Sequence, residues 1–173
     1  EQWTLPDEWE VQHKRPNAPV TGVSWYEATA YCRWLSDLCG RPVGLPSDAV
    51  WQAVAQPDGR AYPWGREEPD ESRAFFGLDW RSNRAFPVGL CPAGRGVLGH
   101  DDLAGNVVEW GAERWQELSE EVVREMLELG VLDPAEDFDD DLRAGRIRVL
   151  RGGAWVDSAL SLRGAVAAAA LML

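Results

Sequence analysis

Apolar side chains recur at steps of three and four from Trp25 through Ala28, Cys32, Leu35 and Cys39, which predicts a helix over Trp25 to about Leu38 with one apolar stripe. Ser24 and Glu27 frame its start as a capping box, each side chain satisfying a backbone donor of the first turn, and Gly40 ends it. A second helix follows Pro46, with Ser47 as N-cap, Asp48 in the first turn, and Trp51 and Val54 facing inward. A third is predicted over Glu120 to Leu129, capped by Ser119 and closed by Gly130, with Val122, Val123, Met126, Leu127 and Leu129 on its apolar side. Strand patterning is confined to short pieces, Val107 to Trp110 and Ile147 to Leu150, and Gly152-Gly153 permits a tight bend before Trp155. Between Gln56 and Leu103 the chain is punctuated by Pro57-Asp58-Gly59, Tyr62-Pro63-Trp64-Gly65 and Cys91-Pro92-Ala93-Gly94, which predicts irregular structure pinned by aromatic residues.

At 173 residues, 45% of them apolar, the chain suits a single domain spanning 1–173. No run of 18 or more apolar residues occurs, so membrane insertion is not expected. The formal charge of −12 is unevenly placed: twelve acidic against two basic residues between Glu113 and Asp141 leave −10 there and −2 elsewhere. An acidic helix-plus-loop insert at 113–143 follows, and its run from Asp133 to Asp141 lacks the fixed spacing of a calcium loop, so it reads as a solvated surface. An acidic chain repels phosphate backbones, which argues against nucleic acid as a partner. Cys32, Cys39 and Cys91 are an odd number without metal spacing and read as buried free thiols. With no leader visible behind Glu1, they point to a cytoplasmic setting.

Six segments in order carry a resemblance: Pro19-Val-Thr-Gly-Val-Ser-Trp-Tyr-Glu-Ala28 with Ala30-Tyr-Cys-Arg-Trp-Leu35, Gly44-Leu-Pro-Ser-Asp-Ala-Val-Trp51, Tyr62-Pro-Trp-Gly65, Phe86-Pro-Val-Gly89, Asp102-Leu-Ala-Gly-Asn-Val-Val-Glu-Trp110, and Arg148-Val-Leu-Arg-Gly-Gly-Ala-Trp155 followed by Leu162-Arg163. Each is modest alone. Together, over most of the chain, they resemble the formylglycine-generating-enzyme/sulfatase-modifying family. The resemblance implies an α+β domain of C-type-lectin-like fold with two main helices, a small twisted antiparallel sheet and much ordered loop. Trp25, Trp51, Trp64, Asn106, Trp110, Arg151 and Arg163 are then structural, with Asn106 tying a turn at Gly105 and the two Arg holding carboxylates or carbonyls beneath the last loop.

Departures from the family pattern shape the functional expectation. Only eighteen residues precede Pro19, where the family has strands, and the family's Gly-Phe-Arg-like closing strand is missing after Ala170. Phe75 replaces a calcium-coordinating Asn, while Asn106 and Glu109 match a second calcium loop and keep calcium as a candidate cofactor. The family's oxygen-using enzymes need a thiol pair just after the Gly-Gly-Ser-like motif to hold copper. The corresponding positions are Asp157 and Leu162, which cannot bind Cu(I). A sister branch uses three His around iron, and this chain has only His13 and His100.

The stretch after Trp155 resembles the variable region of diversity-generating-retroelement proteins, which display changing side chains on this fold. Val, Asp, Ser, Leu and Ala can all be reached from an Asn codon by changing its adenines. A variable region at 154–173 is therefore expected, with Trp155, Val156, Asp157, Ser158, Leu160, Ser161, Val166 and Ala167 contacting a protein, glycan or small-molecule ligand. The expectation is a non-catalytic binding protein. The alternatives are an oxidoreductase with a relocated metal site, an interaction module of a larger protein whose acidic insert docks a partner, and, for the Ala-rich end alone, a plain structural tail.

Overall fold

The computed structural model describes residues 5–6, 8–81, 84–114, 147–163 and 168–171. The predicted helix at 120–129, the acidic run at 133–141, Val166 and Ala167 lie outside the described residues.

Three helices precede a three-stranded antiparallel sheet: α1 (Trp9–Gln12), α2 (Trp25–Cys39), α3 (Asp48–Ala55), then β1 (Glu109–Arg114), β2 (Ile147–Arg151) and β3 (Ala168–Leu171). α2 begins as its sequence dictates. The Ser24 N–H donates to the Glu27 carboxylate at 2.7 Å, the Glu27 N–H donates back to Ser24 Oγ at 3.3 Å, and Gly40 closes the helix at φ +65°. The Ser24 N–H and the Ser24 hydroxyl, which donates at 2.8 Å, together hold the Glu27 carboxyl below its ordinary range. α3 is capped by Ser47, whose Oγ accepts from the Val50 N–H at 3.2 Å.

The apolar stripe of α2 is only partly covered. Trp25, Ala28, Cys32 and Leu35 are half-buried, Cys39 is exposed, and no residue of the helix is fully buried; Tyr31, Trp34 and Leu38, off the stripe, are more than half exposed. The expectation of three buried thiols is corrected: Cys39, the last residue of α2, is exposed, Cys32 is half-buried, and only Cys91 is buried. Burial pushes the Cys91 thiol up from its ordinary value.

The first predicted strand starts two residues late and runs longer, from Glu109 to Arg114. Gly105 at φ +78° and Asn106 at φ +66° form a left-handed turn, so the extended conformation begins only beyond them. β1 pairs with β2 through Glu109↔Arg151 and Trp110↔Leu150, then shifts register to Arg114↔Arg148. Within the Ala-rich end, Ala168–Leu171 forms the third strand, paired with β2 from Ile147↔Leu171 to Leu150↔Ala168. Three alanines and a leucine form this ladder because β2 supplies a full row of backbone partners.

Two core clusters lie among the described residues. Trp51, Ala55 and Leu103 pack together, with Val54 against them as predicted. Tyr62, Ala74, Ala104 and Leu162 form the other, against Ala61, Trp64 and Phe76. Aromatic residues pin the loops through their polar edges: Trp25 Nε1 donates to the Gly111 carbonyl at 2.9 Å, Trp110 Nε1 to Val23 at 3.1 Å, and Trp64 Nε1 to Glu67 at 2.9 Å. Arg148, buried on the central strand, lies 3.9 Å over the Trp25 ring.

Candidate functional site

The loop after β2 is held by backbone hydrogen bonds from two other segments. The Gly105 N–H donates to the Gly152 carbonyl at 2.8 Å, the Trp155 N–H to Asn106 at 3.0 Å, the Leu78 N–H to Trp155 at 2.8 Å and the Gly77 N–H to Asp157 at 2.8 Å. The Asn106 N–H donates to the Phe75 carbonyl at 3.0 Å, so the 75–78, 105–106 and 152–157 segments are stitched into one layer. Asn106, 1% exposed, completes it: its amide accepts from the Phe86 N–H at 2.8 Å and donates to the Phe86 carbonyl at 3.0 Å, imitating a strand partner. Phe75 and Phe86 stack at 3.8 Å where the family's calcium-coordinating Asn is replaced.

Below this layer Arg151, buried, donates to Asp48 at 2.6 Å and lies over Trp51. Arg163 sits exposed, 5.9 Å over the Tyr62 ring. Leu162 is 1% exposed in the Tyr62 cluster.

The expected contact residues separate into two groups. Asp157 spends its carboxylate on the Ala154 N–H at 2.7 Å, a turn closure rather than a displayed group. Val156, Ser158 and Leu160 point to solvent, and Ser161 is half-buried. The alternation arises because a short 3-10 turn at Ala159–Leu162 drives Leu162 into the core and leaves the residue two before it outside. Trp155 is half-buried and forms a wall of two hollows.

The larger hollow, about 850 Å³, is also lined by Val20, Val23, Asp102, Glu109 and Trp110. Burial pushes both the Glu109 and Asp102 carboxyls above their ordinary range, and for Glu109 it outweighs the 2.6 Å hydrogen bond donated by Trp51 Nε1. A buried acid that prefers its neutral form contributes its full stability below the ordinary Glu value of 4.5 and loses it as pH rises through the raised value. Glu109→Gln keeps an acceptor for Trp51 and removes the charge. It is therefore expected to raise the melting temperature at about pH 8, and thermal melts should show that advantage vanishing below about pH 4.5.

The smaller hollow, about 240 Å³, lies between α1 and the Trp80–Trp155 side and includes Arg15 and Arg84. Sequence reading did not single out Arg15, Trp80 or Arg84. Trp80, more than half exposed and outside every periodic segment, was the available signal.

The metal centres of the family's enzymes do not fit these residues. Asp157 and Leu162, at the thiol positions, are a turn cap and a core side chain. His13 bonds the Trp9 carbonyl on α1, and His100 is exposed in a turn. Asn106 and Glu109 each give the side chain to a neighbour in the fold, and among the described residues no group of three or more His, Cys, Asp or Glu gathers as metal ligands do.

Fold and site together define a C-type-lectin-like domain of the formylglycine-generating type. The profile of the sulfatase-modifying factor enzyme 1-like domain matches residues 2–170, and the chain belongs to that family. It is 30% identical over 161 residues to hercynine oxygenase of Mycolicibacterium thermoresistibile, covering 88% of this chain and 32% of that protein. It is 31% identical over 151 residues to the inactive C-alpha-formylglycine-generating enzyme 2 of Bos taurus, covering 82% and 40%. The chain thus spans 32% and 40% of the length of these relatives. Among solved structures, Treponema denticola variable protein 1 superposes with a TM-score of 0.62 at 21% identity, over 98% of this chain and 70% of that one, which is a likeness of fold.

Proposed function

We propose that this chain is a non-catalytic binding domain that presents the loop after β2, with Val156, Ser158 and Leu160 as its outward face. One observation carries the reading. The two positions where the family's oxygen-using enzymes place thiols hold a turn cap and a core leucine, while the residues alternating with them face solvent. A loop stitched by backbone hydrogen bonds keeps its shape whatever those outward side chains are, because none of the bonds depends on their identity. That independence suits a surface varied by a retroelement. The inactive formylglycine-generating relative shows that the family includes proteins described as inactive, which supports the non-catalytic reading.

Two measurements test it. Sequencing many copies of the gene from related populations should find substitutions concentrated at codons 156, 158 and 160, with 155, 157 and 162 constant; uniform sequence would remove the diversification. Metal analysis of the purified protein should find copper and iron well below one per chain. A stoichiometric metal accompanied by oxygen uptake in the presence of a cysteine peptide would replace this reading with an enzymatic one.

A further inference from the structure

Trp155 Nε1 is buried and has no hydrogen-bond acceptor, an arrangement that folded proteins seldom leave in place. The same side chain walls the 240 Å³ hollow beside α1, whose other apolar walls are Val11, Ala18, Pro19, Trp80 and Ala85. Arg15 also lines it, half-buried, and its guanidinium has no hydrogen-bond or ion-pair partner among the described residues. Arg84 and Glu8, on the same wall, form an ion pair with each other at 3.1 Å. Among the described residues the lining carries two cations and one anion, a net of +1, in a chain whose formal charge is −12.

We propose that this hollow binds a small organic monoanion, a carboxylate carried on an aromatic or branched apolar body, with Arg15 as its charge partner. The proposal rests on the ligand-binding reading above and names the ligand class for the part of the site behind Trp155. A planar guanidinium matches a carboxylate in a two-bond fork. The side chains of Trp80 and Trp155, with Val11 and Pro19, suit an apolar body rather than a bare inorganic anion. The volume falls just below the roughly 300–1,000 Å³ of drug-sized sites, so the ligand is small. Half-burial of Arg15 reduces solvent screening of the pair relative to a fully exposed one.

Phenylacetate, its neutral amide phenylacetamide, and acetate serve as probes, titrated into the full chain by calorimetry and by saturation-transfer NMR. Phenylacetate should bind saturably with one site, phenylacetamide at least about tenfold more weakly, and acetate not measurably; added salt should weaken phenylacetate binding. Arg15→Gln should abolish the preference for the acid over the amide while leaving the melting temperature unchanged, since the side chain holds no described contact. Trp80→Ala should weaken both aromatic probes alike. Equal affinity for acid and amide would overturn the anion claim while leaving a ligand-binding hollow in place. No saturable binding of phenylacetate would overturn the proposal entirely, and the gene-sequencing result would still decide the broader reading separately.

Discussion

Leu162→Ala is expected to destabilise the domain by about 2–5 kcal/mol, the usual cost of a cavity left by truncating a buried leucine. Leu162 is 1% exposed and packs with Tyr62, Ala74 and Ala104, so little can collapse into the space it leaves. For a chain of this size the melting temperature should fall by roughly 4–20 °C. Leu160→Ala, two residues earlier on the same 3-10 turn but 43% exposed, should change stability by no more than about 0.5 kcal/mol. Denaturant melts of the two variants side by side check the contrast. Similar losses from both would mean that the loop is not divided into an anchoring side and a displayed side.

Gly105→Val should cost at least as much, for a different reason. Gly105 sits at φ +78°, where a β-branched residue is strained, and a Cβ there would lie 2.4 Å from the Phe75 carbonyl oxygen. That carbonyl is the acceptor for the Asn106 N–H, and the Gly105 N–H itself donates to Gly152. Relief of the clash therefore separates the 75–78 and 105–106 segments, and the 152–157 loop loses its support. Backbone strain and overpacking together place the loss at about 2–6 kcal/mol. The measurement is amide hydrogen exchange: protection should fall at Gly77, Leu78 and Trp155 together, because their N–H groups share the same layer. Loss at Gly105 alone would show that the three segments are not coupled.

Both predictions concern a loop whose role follows from what it lacks as well as from what it holds. Asp157 closes a turn and Leu162 fills the core, and the proposed binding role rests on that division. Under that proposal the outward side chains Val156, Ser158 and Leu160 differ between copies without a cost to the fold. The raised carboxyls of Glu109 and Asp102 fit the same picture, since they lie behind the loop on the wall of the large hollow and owe their shifts to burial. Their effect should be read in pH-dependent stability.

The amino-acid sequence by itself determined the elements whose causes are local. The Ser24–Glu27 capping box, Gly40 and Ser47 set both main helices to within a residue or two, because caps act on backbone groups one turn away. Family membership was legible too, since it lies in ordered motifs. Tertiary structure alone decided what depends on partners distant in the chain. Ala168–Leu171 becomes a strand only because β2 offers unpaired backbone groups, which no property of an alanine run announces. Asp157 becomes a turn cap, Cys39 ends up exposed, and Arg15 comes to share a hollow with Trp155, through the placement of segments that sequence spacing does not encode. Periodicity reports which face of an element is apolar. Whether that face is covered depends on what the rest of the chain brings against it, as the half-exposed stripe of α2 illustrates.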